Sequence, residues 1–233
     1  MPFSRAIEPR LQAEGDLTRA MVGIGMAFAA KAAPDPNIED TVLAASIDGM
    51  EHDDLRVLAV LTTWLGVHAP WLNADRLTRI VGSQGSQRVR AYWSAIAAGQ
   101  SKDSRFRRLA TMYDGPRIDL LAVGTEFQVR RRGEDVRFEG TALRVPSGTL
   151  RDRPGDILMP SELAARHLAY YYRVLIGPSY RADMWAALDR EPDLTAAELA
   201  RRTYGSFATA WHVKRDFELL RNVAHAGRSR PNQ

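Results

Sequence analysis

The stretch TAAELARRTYGSFATAWHVKRDFELLR, residues 195–221, decides how this chain is read. Thr195 followed three residues on by Glu198 is a capping box, in which hydroxyl and carboxylate satisfy backbone N–H groups reciprocally at a helix start. Ala196, Leu199 and Ala200 give that helix a small apolar face, and it stops near Tyr204-Gly205. Ser206 then caps a longer helix, Phe207 to about Arg221, with Phe207, Ala210, Trp211, Val213, Phe217 and Leu220 apolar. Upstream, Tyr180 to Asp189 carries Met184, Trp185 and Leu188 at helical spacing, and Glu191-Pro192-Asp193 turns the chain. Small residues on the middle helix let the third cross it closely, and Gly205 supplies a permissive backbone. Trp211 and Phe217 are expected to be buried together.

Three helices with a tight turn between the second and third form a helix-turn-helix, whose third helix presents polar residues to the DNA major groove. Ser206, Thr209, His212 and Arg215 recur every three residues and are the expected contact side, with Arg201, Arg202 and Lys214 beside them. Arg reads guanine or holds phosphate, and hydroxyls near a helix N-terminus bind phosphate. The segment from Arg181 through Leu220 resembles helix-turn-helix domains of the winged type found in bacterial transcriptional regulators. The resemblance covers about 40 of the 233 residues. It implies a sequence-specific reader of double-stranded DNA acting as a homodimer. The departure is the wing, because Arg221 to Gln233 is too short for a good hairpin. The helix around Glu162 to Leu175, with Leu163, Leu168, Tyr171, Val174 and Leu175, is the candidate dimer element. The stretch Ile176-Gly177-Pro178-Ser179-Tyr180-Arg181-Ala182-Asp183 is also similar to regulators paired with nucleotidyltransferase toxins in abortive-infection systems. That similarity implies the alternative reading, an antitoxin-like partner of a toxin. A trihelical packing module without DNA contact is the plain alternative.

Outward from this segment the chain changes character twice. Pro160-Ser161-Glu162 opens a helix to about Leu175, ended by Gly177-Pro178. Ser147 to Pro160, rich in Gly and Pro, reads as loop or linker. Between Asp114 and Leu150 apolar residues alternate: Ile118, Leu120 and Ala122, then Phe127 and Val129, Val136 and Phe138, Leu143 and Val145. Gly133-Glu134-Asp135 sits between two of these runs as a hairpin turn. The spacing therefore predicts a small central antiparallel sheet in a mainly helical protein, with Arg130-Arg131-Arg132 at a hairpin tip that could hold phosphate like a wing. Before it, Asp54 to His68, Ala74 to Val81, Ser86 to Ala98 and Asp103 to Tyr113 read as helices, capped by Asp53, Asn73 and Ser86 for the first three. The first three repeat the long-short-long layout, so 1–113 is read as a helical domain, with a degenerate helix-turn-helix as one reading of it, and Arg88 and Arg90 on its third helix.

Charge is distributed unevenly around a net +4, from 32 basic and 28 acidic residues. Pro34 to Leu55 holds seven acids and no base, Arg76 to Arg108 eight bases and one acid, and Ala200 to the end seven bases and two acids. Two basic segments suggest a polyanion partner. The competing explanation is that the acidic stretch folds against the basic one and neutralises it internally.

Composition closes off other classes. The absence of cysteine excludes disulfides, thiolate zinc sites and a cysteine nucleophile. No run is apolar enough for a membrane span, and Glu8, Glu14 and Asp16 stand where a signal peptide would be basic, so a cytoplasmic protein is expected. Glu51-His52-Asp53-Asp54 could ligate a metal, but neighbours at a helix start point in different directions, so Asp53 and Asp54 are read as helix N-terminal charges. Gly23 and Gly25 lack a preceding strand and a third glycine, so no dinucleotide loop is expected. No phosphate-binding loop or nucleophile elbow occurs. No catalytic residue, metal or cofactor is predicted. His68, His167 and His225 read as structural or exposed, and Tyr170-Tyr171-Tyr172 as helix packing.

Overall fold

The computed structural model describes residues 15–228, with side chains to Val223. The described chain divides into two units, 15–167 and 168–228.

The first unit is built around a helix that the sequence conceals. α1 (Asp16–Gly23) leads into α2 (Ile38–Glu51), capped by the Asn37 side-chain oxygen Oδ1 accepting from the Asp40 N–H at 3.0 Å. α2 packs on α3 (Leu55–His68), α4 (Ala74–Gly82) and α5 (Gln87–Gly99). It is buried nearly all round, down to Glu39 and Asp40. At Gly49 a side chain would collide with Leu58, so glycine sets the α2–α3 approach. The three-helix layout of 54–98 is thus real, but its centre is α2. The caps Asn73 and Ser86 hold as expected, accepting from the N–H of Arg76 and Val89, while Asp54 rather than Asp53 caps α3.

Three large side chains fill the core with their polar atoms satisfied. Trp64 Nε1 donates to the Ile24 carbonyl at 2.8 Å, Trp93 Nε1 to Ser46 Oγ at 2.8 Å, and the Tyr92 hydroxyl meets Thr62 at 3.1 Å. Burial pushes the Tyr92 phenol far above its usual range. His68 stacks on Trp64 at 4.4 Å, with Nε2 3.0 Å from the Leu158 carbonyl. Burial lowers its pKa to about 4 despite that bond.

Helix content after α5 is broken: a 3₁₀ turn at Ser104–Phe106 and a four-residue α6 (Arg107–Ala110) replace one helix over 103–113. The expected antiparallel sheet is absent among the described residues. β1 (Ile118–Asp119) pairs in parallel with β2 (Leu143–Arg144), and α7 (Thr125–Arg132) lies between them in sequence. Parallel strands need such a crossover. Phe127 and Val129 are therefore helical, and Gly133 ends α7 with positive φ instead of turning a hairpin. Helix formers dominate Glu126 to Arg132, and two alternating apolar residues are too few to outweigh them. The hairpin tip at Arg130-Arg131-Arg132 is corrected accordingly: these arginines occupy the last turn of α7, where cations complement the helix dipole.

Residues 147–160 belong to the first unit. Leu150 and Ile157 are buried, Ile157 bridges Met26, and the Arg153 N–H donates to Thr63 Oγ1. The single helix expected from Glu162 to Leu175 is two, α8 (Pro160–Ala164) and α9 (Leu168–Ile176), with the unit boundary between them. Buried His167 interrupts it, its Nε2 3.0 Å from the Pro36 carbonyl and its Nδ1 3.4 Å from Asp35.

The second unit holds α9, α10 (Tyr180–Arg190), α11 (Ala196–Arg202) and α12 (Phe207–Arg228). Met184, Leu188, Leu194, Leu199, Ala200, Ala210 and Val213 form its core. Arg173 and Asp183, both buried, form a two-point ion pair at 2.8 and 2.9 Å that ties α9 to α10. No helix among the described residues is long and apolar enough to cross a membrane.

Candidate nucleic-acid interface

The turn between α11 and α12 is set by both neighbours of its glycine. The Thr195–Glu198 capping box starts α11, with the Thr195 N–H donating to Glu198 at 3.0 Å and the Glu198 N–H to Thr195 Oγ1 at 3.2 Å. Those donors hold the Glu198 carboxyl below its ordinary pKa. At the turn the left-handed residue is Tyr204, at φ 58°, and not Gly205. Gly205 packs against buried Met184: a Cβ there would lie 2.2 Å from its Cε, so the end of that side chain would have to move.

Beyond the turn, Ala210, Val213 and Phe217 seal α12 against the rest of the unit, and Phe217 tilts onto Trp185 at 5.6 Å between ring centres. Trp211 does not join them and is 50% exposed. The expectation that Trp211 and Phe217 share a face fails because six residues place them about a third of a turn apart. Leu220 and Phe207 are exposed as well.

The contact side is likewise redrawn. A step of three residues drifts about 60° round a helix, so Ser206, Thr209, His212 and Arg215 span half its circumference. Ser206 and Thr209 are half-buried and spent on the helix start: their hydroxyls lie 2.7 Å apart, and the Thr209 N–H donates to Ser206 Oγ. The outward stripe is Ala208, Trp211, His212 and Arg215, spaced 3, 4 and 7 from the first and all exposed. Arg215 lies over the Trp211 ring at 5.6 Å, and His212 meets that ring edge-on at 5.1 Å. A 3–4 spacing test on the sequence would have found Ala208 and Trp211.

Most nearby cations are paired. Arg215 and Arg181 both reach Asp216 at 2.9 Å and hold its carboxyl below the usual range. Arg202 pairs with Glu191 at 2.7 Å and Lys214 with Glu218 at 3.1 Å. Arg201 is exposed and makes no ion pair among the described residues.

The N-terminal candidates serve the fold. Arg88 donates to Asp53 at 2.8 Å and to the Leu120 carbonyl at 3.0 Å, and Arg90 to the Gly82 carbonyl at 3.0 Å. Buried Arg76 pairs with Asp40 of the acidic stretch. Internal neutralisation therefore consumes part of the basic excess. Arg130 pairs with Glu126, while Arg131 and Arg132 are exposed. Of the residues weighed for a metal, Asp54 caps α3, Asp53 holds Arg88, His52 meets Asp48 at 2.8 Å, and Glu51 takes the Ser86 hydroxyl. His225 lies outside the described side chains. No family model, curated protein or solved structure matches the chain.

Proposed function

We propose that the second unit binds double-stranded DNA through a helix-turn-helix formed by α11 and α12, and that the protein regulates transcription. The observation that carries this reading is the outward stripe Ala208–Trp211–His212–Arg215 on the first half of α12, opposite Ala210, Val213 and Phe217. A major groove admits one helix, and such a stripe offers it two polar readers and two apolar surfaces for thymine methyl groups. The Trp211 ring orients the Arg215 guanidinium. Arg201, Arg202 and Lys214 supply phosphate contacts; the surface ion pairs that Arg202, Lys214 and Arg215 make are weak enough for phosphate to replace. Two-fold pairing uses α9, where Tyr171, Val174 and Leu175 form an exposed stripe at i, i+3 and i+4.

Titrating a labelled duplex from upstream of the chain's own gene, across a salt series, tests the reading. Tighter binding to that duplex than to a scrambled one of equal length is expected. Arg215→Ala should flatten the log–log salt slope by about 0.9 if Arg215 holds phosphate, or relax base preference if it reads guanine. Equal binding of both duplexes, or an Arg215→Ala protein unchanged in affinity, slope and preference, overturns it.

A second reading is favoured by a different observation. Phe207, Trp211, Leu219, Leu220 and Val223 are all at least half exposed on the same helix. Aromatic and large aliphatic groups of this kind anchor protein interfaces, and an antitoxin-like module would use them on its toxin. Under that reading Trp211→Ala abolishes capture of a protein encoded next to it and leaves DNA titrations flat.

A further inference from the structure

The first unit carries a feature that DNA binding does not use. Eight bases lie between Arg76 and Arg108. Five of them are spent within the fold: Arg76 on Asp40, Arg79 on Asp75, Arg88 on Asp53, Arg90 on the Gly82 carbonyl and Arg105 on Asp103. The other three, Lys102, Arg107 and Arg108, are exposed and make no ion pair among the described residues. All three fall within 102–108, so what remains of the basic excess is gathered in one short segment.

That segment is fixed in place and borders a cavity. Phe106 and Leu109 are buried. The Asp103 N–H donates to the Gln100 carbonyl at 2.8 Å, and Arg105 reaches back to the Pro70 and Leu72 carbonyls at 3.0 and 3.3 Å. The end of α5 and residues 101–110 together line a cavity of about 220 Å³. Alanines form one side of it, and Gln100, Ser101, Asp103, Ser104 and Arg107 the other.

The charge balance at this cavity favours an anion. Asp103 is matched one to one, because both its carboxylate oxygens accept from Arg105 Nε at 3.0 Å and Arg105 pairs with no other acid among the described residues. That contact holds the Asp103 carboxyl below its usual range. α5 and α6 contain no acid, and α4, which packs on the same turn, has only Asp75, paired with Arg79 at 3.1 Å. Arg107 therefore leaves one net positive charge at the cavity. The Ser101 and Ser104 hydroxyls make no hydrogen bond among the described residues, and a hydroxyl rotates to donate where an acceptor is offered. A guanidinium joined by such donors matches the oxygens of a phosphate group.

We infer that this cavity binds the phosphate group of a small phosphorylated molecule, with Arg107 as its counter-ion and the Ser101 and Ser104 hydroxyls as donors. The volume lies below the ~300–1,000 Å³ common for ligand pockets and suits a phosphate monoester on a skeleton of about three carbons. The site is independent of the DNA reading.

Glycerol phosphate, inorganic phosphate, dimethyl phosphate and glycerol separate the possibilities when titrated into the full chain at constant ionic strength and followed by amide NMR. The first two should shift the Ser101, Ser104 and Arg107 resonances saturably, and glycerol should not. Dimethyl phosphate, the analogue of a nucleic-acid backbone, carries one charge fewer than a monoester dianion and should bind roughly ten-fold more weakly. Arg107→Gln should weaken glycerol phosphate by roughly ten-fold or more and melt like the parent, since Arg107 holds no partner in the fold. Ser104→Ala should weaken it several-fold. Arg131→Gln removes the same charge from exposed α7 and should leave binding unchanged. No saturable shift with either phosphate, equal binding of dimethyl phosphate, undiminished binding by Arg107→Gln, or an equal loss in Arg131→Gln overturns the assignment.

Discussion

The two units treat the same residue types in opposite ways. In 15–167, Trp64, Trp93 and Tyr92 are buried and hydrogen-bonded, and Arg76 is enclosed against Asp40. In 168–228, Trp211 stands half exposed at the outer side of α12, and every described arginine except Arg173 keeps its charge toward solvent or a surface acid. An aromatic or an arginine is therefore no marker of function here until its partners are known. In the first unit such residues hold the fold. In the second, Trp211 and most arginines lie at the surface, the arginines largely in solvent-exposed ion pairs.

The largest expected effect breaks or sustains that contrast directly. Trp64→Ala should destabilise by about 3–5 kcal/mol in chemical denaturation, because it empties a filled core site and orphans the Ile24 carbonyl. Trp211→Ala should change stability by less than about 0.5 kcal/mol. Similar losses in both variants would erase the distinction between the units.

Next in size is a pH effect confined to the first unit. His68 titrates at about 4 in the fold and near 6.5 unfolded. The unfolded chain thus binds the extra proton across this window. Stability is complete above pH 6.5 and falls by up to about 1.4 kcal/mol per pH unit on descent toward pH 4, about 3 kcal/mol in all. Comparing melting curves of the parent and His68→Gln isolates the contribution, since the variant should lose less over the same descent. Parallel curves would mean that His68 is protonated within the fold.

Thr195→Ala probes the second unit at about 1 kcal/mol, the usual worth of a lost N-cap. Hydrogen exchange should quicken at the start of α11 and leave α3 to α5 unaltered. The smallest effect belongs to α7. Reversing Arg131 and Arg132 to Glu places like charge at the negative end of a helix and should cost less than about 1 kcal/mol each, relieved by salt. A marked loss of DNA affinity in that double variant would reinstate the first unit as a second DNA surface.

Where local signals agree with packing, residues reveal their elements. Asn73 and Ser86 cap the helices they announce, and Thr195 with Glu198 starts α11. α2 escapes because Glu39, Asp40 and Ser46 are as buried as Val42 and Leu43, so its sequence shows no polar face to set a period. The acidic composition of 34–55 gives no sign that Glu39 and Asp40 lie in the interior. α7 escapes for the converse reason: Phe127 and Val129 imitate strand alternation, although Phe127 is 63% exposed and packs little. Of the outward stripe of α12, His212 and Arg215 were legible, while Ala208 and Trp211 were masked by counting in threes and by assuming that tryptophan goes inside.

The Arg173–Asp183 pair has a practical corollary for dissecting the molecule. A polypeptide begun at Ser179 would retain α10 to α12 and all seven core residues, and would look sufficient on hydrophobic grounds. It would also strand the Asp183 carboxylate, deprived of the guanidinium that balances it. The cut would also remove the apolar surface that α9 packs on α10, a further loss for so small a domain. The shortest autonomous piece therefore starts no later than Leu168, and α9 travels with the trihelical module as part of its foundation.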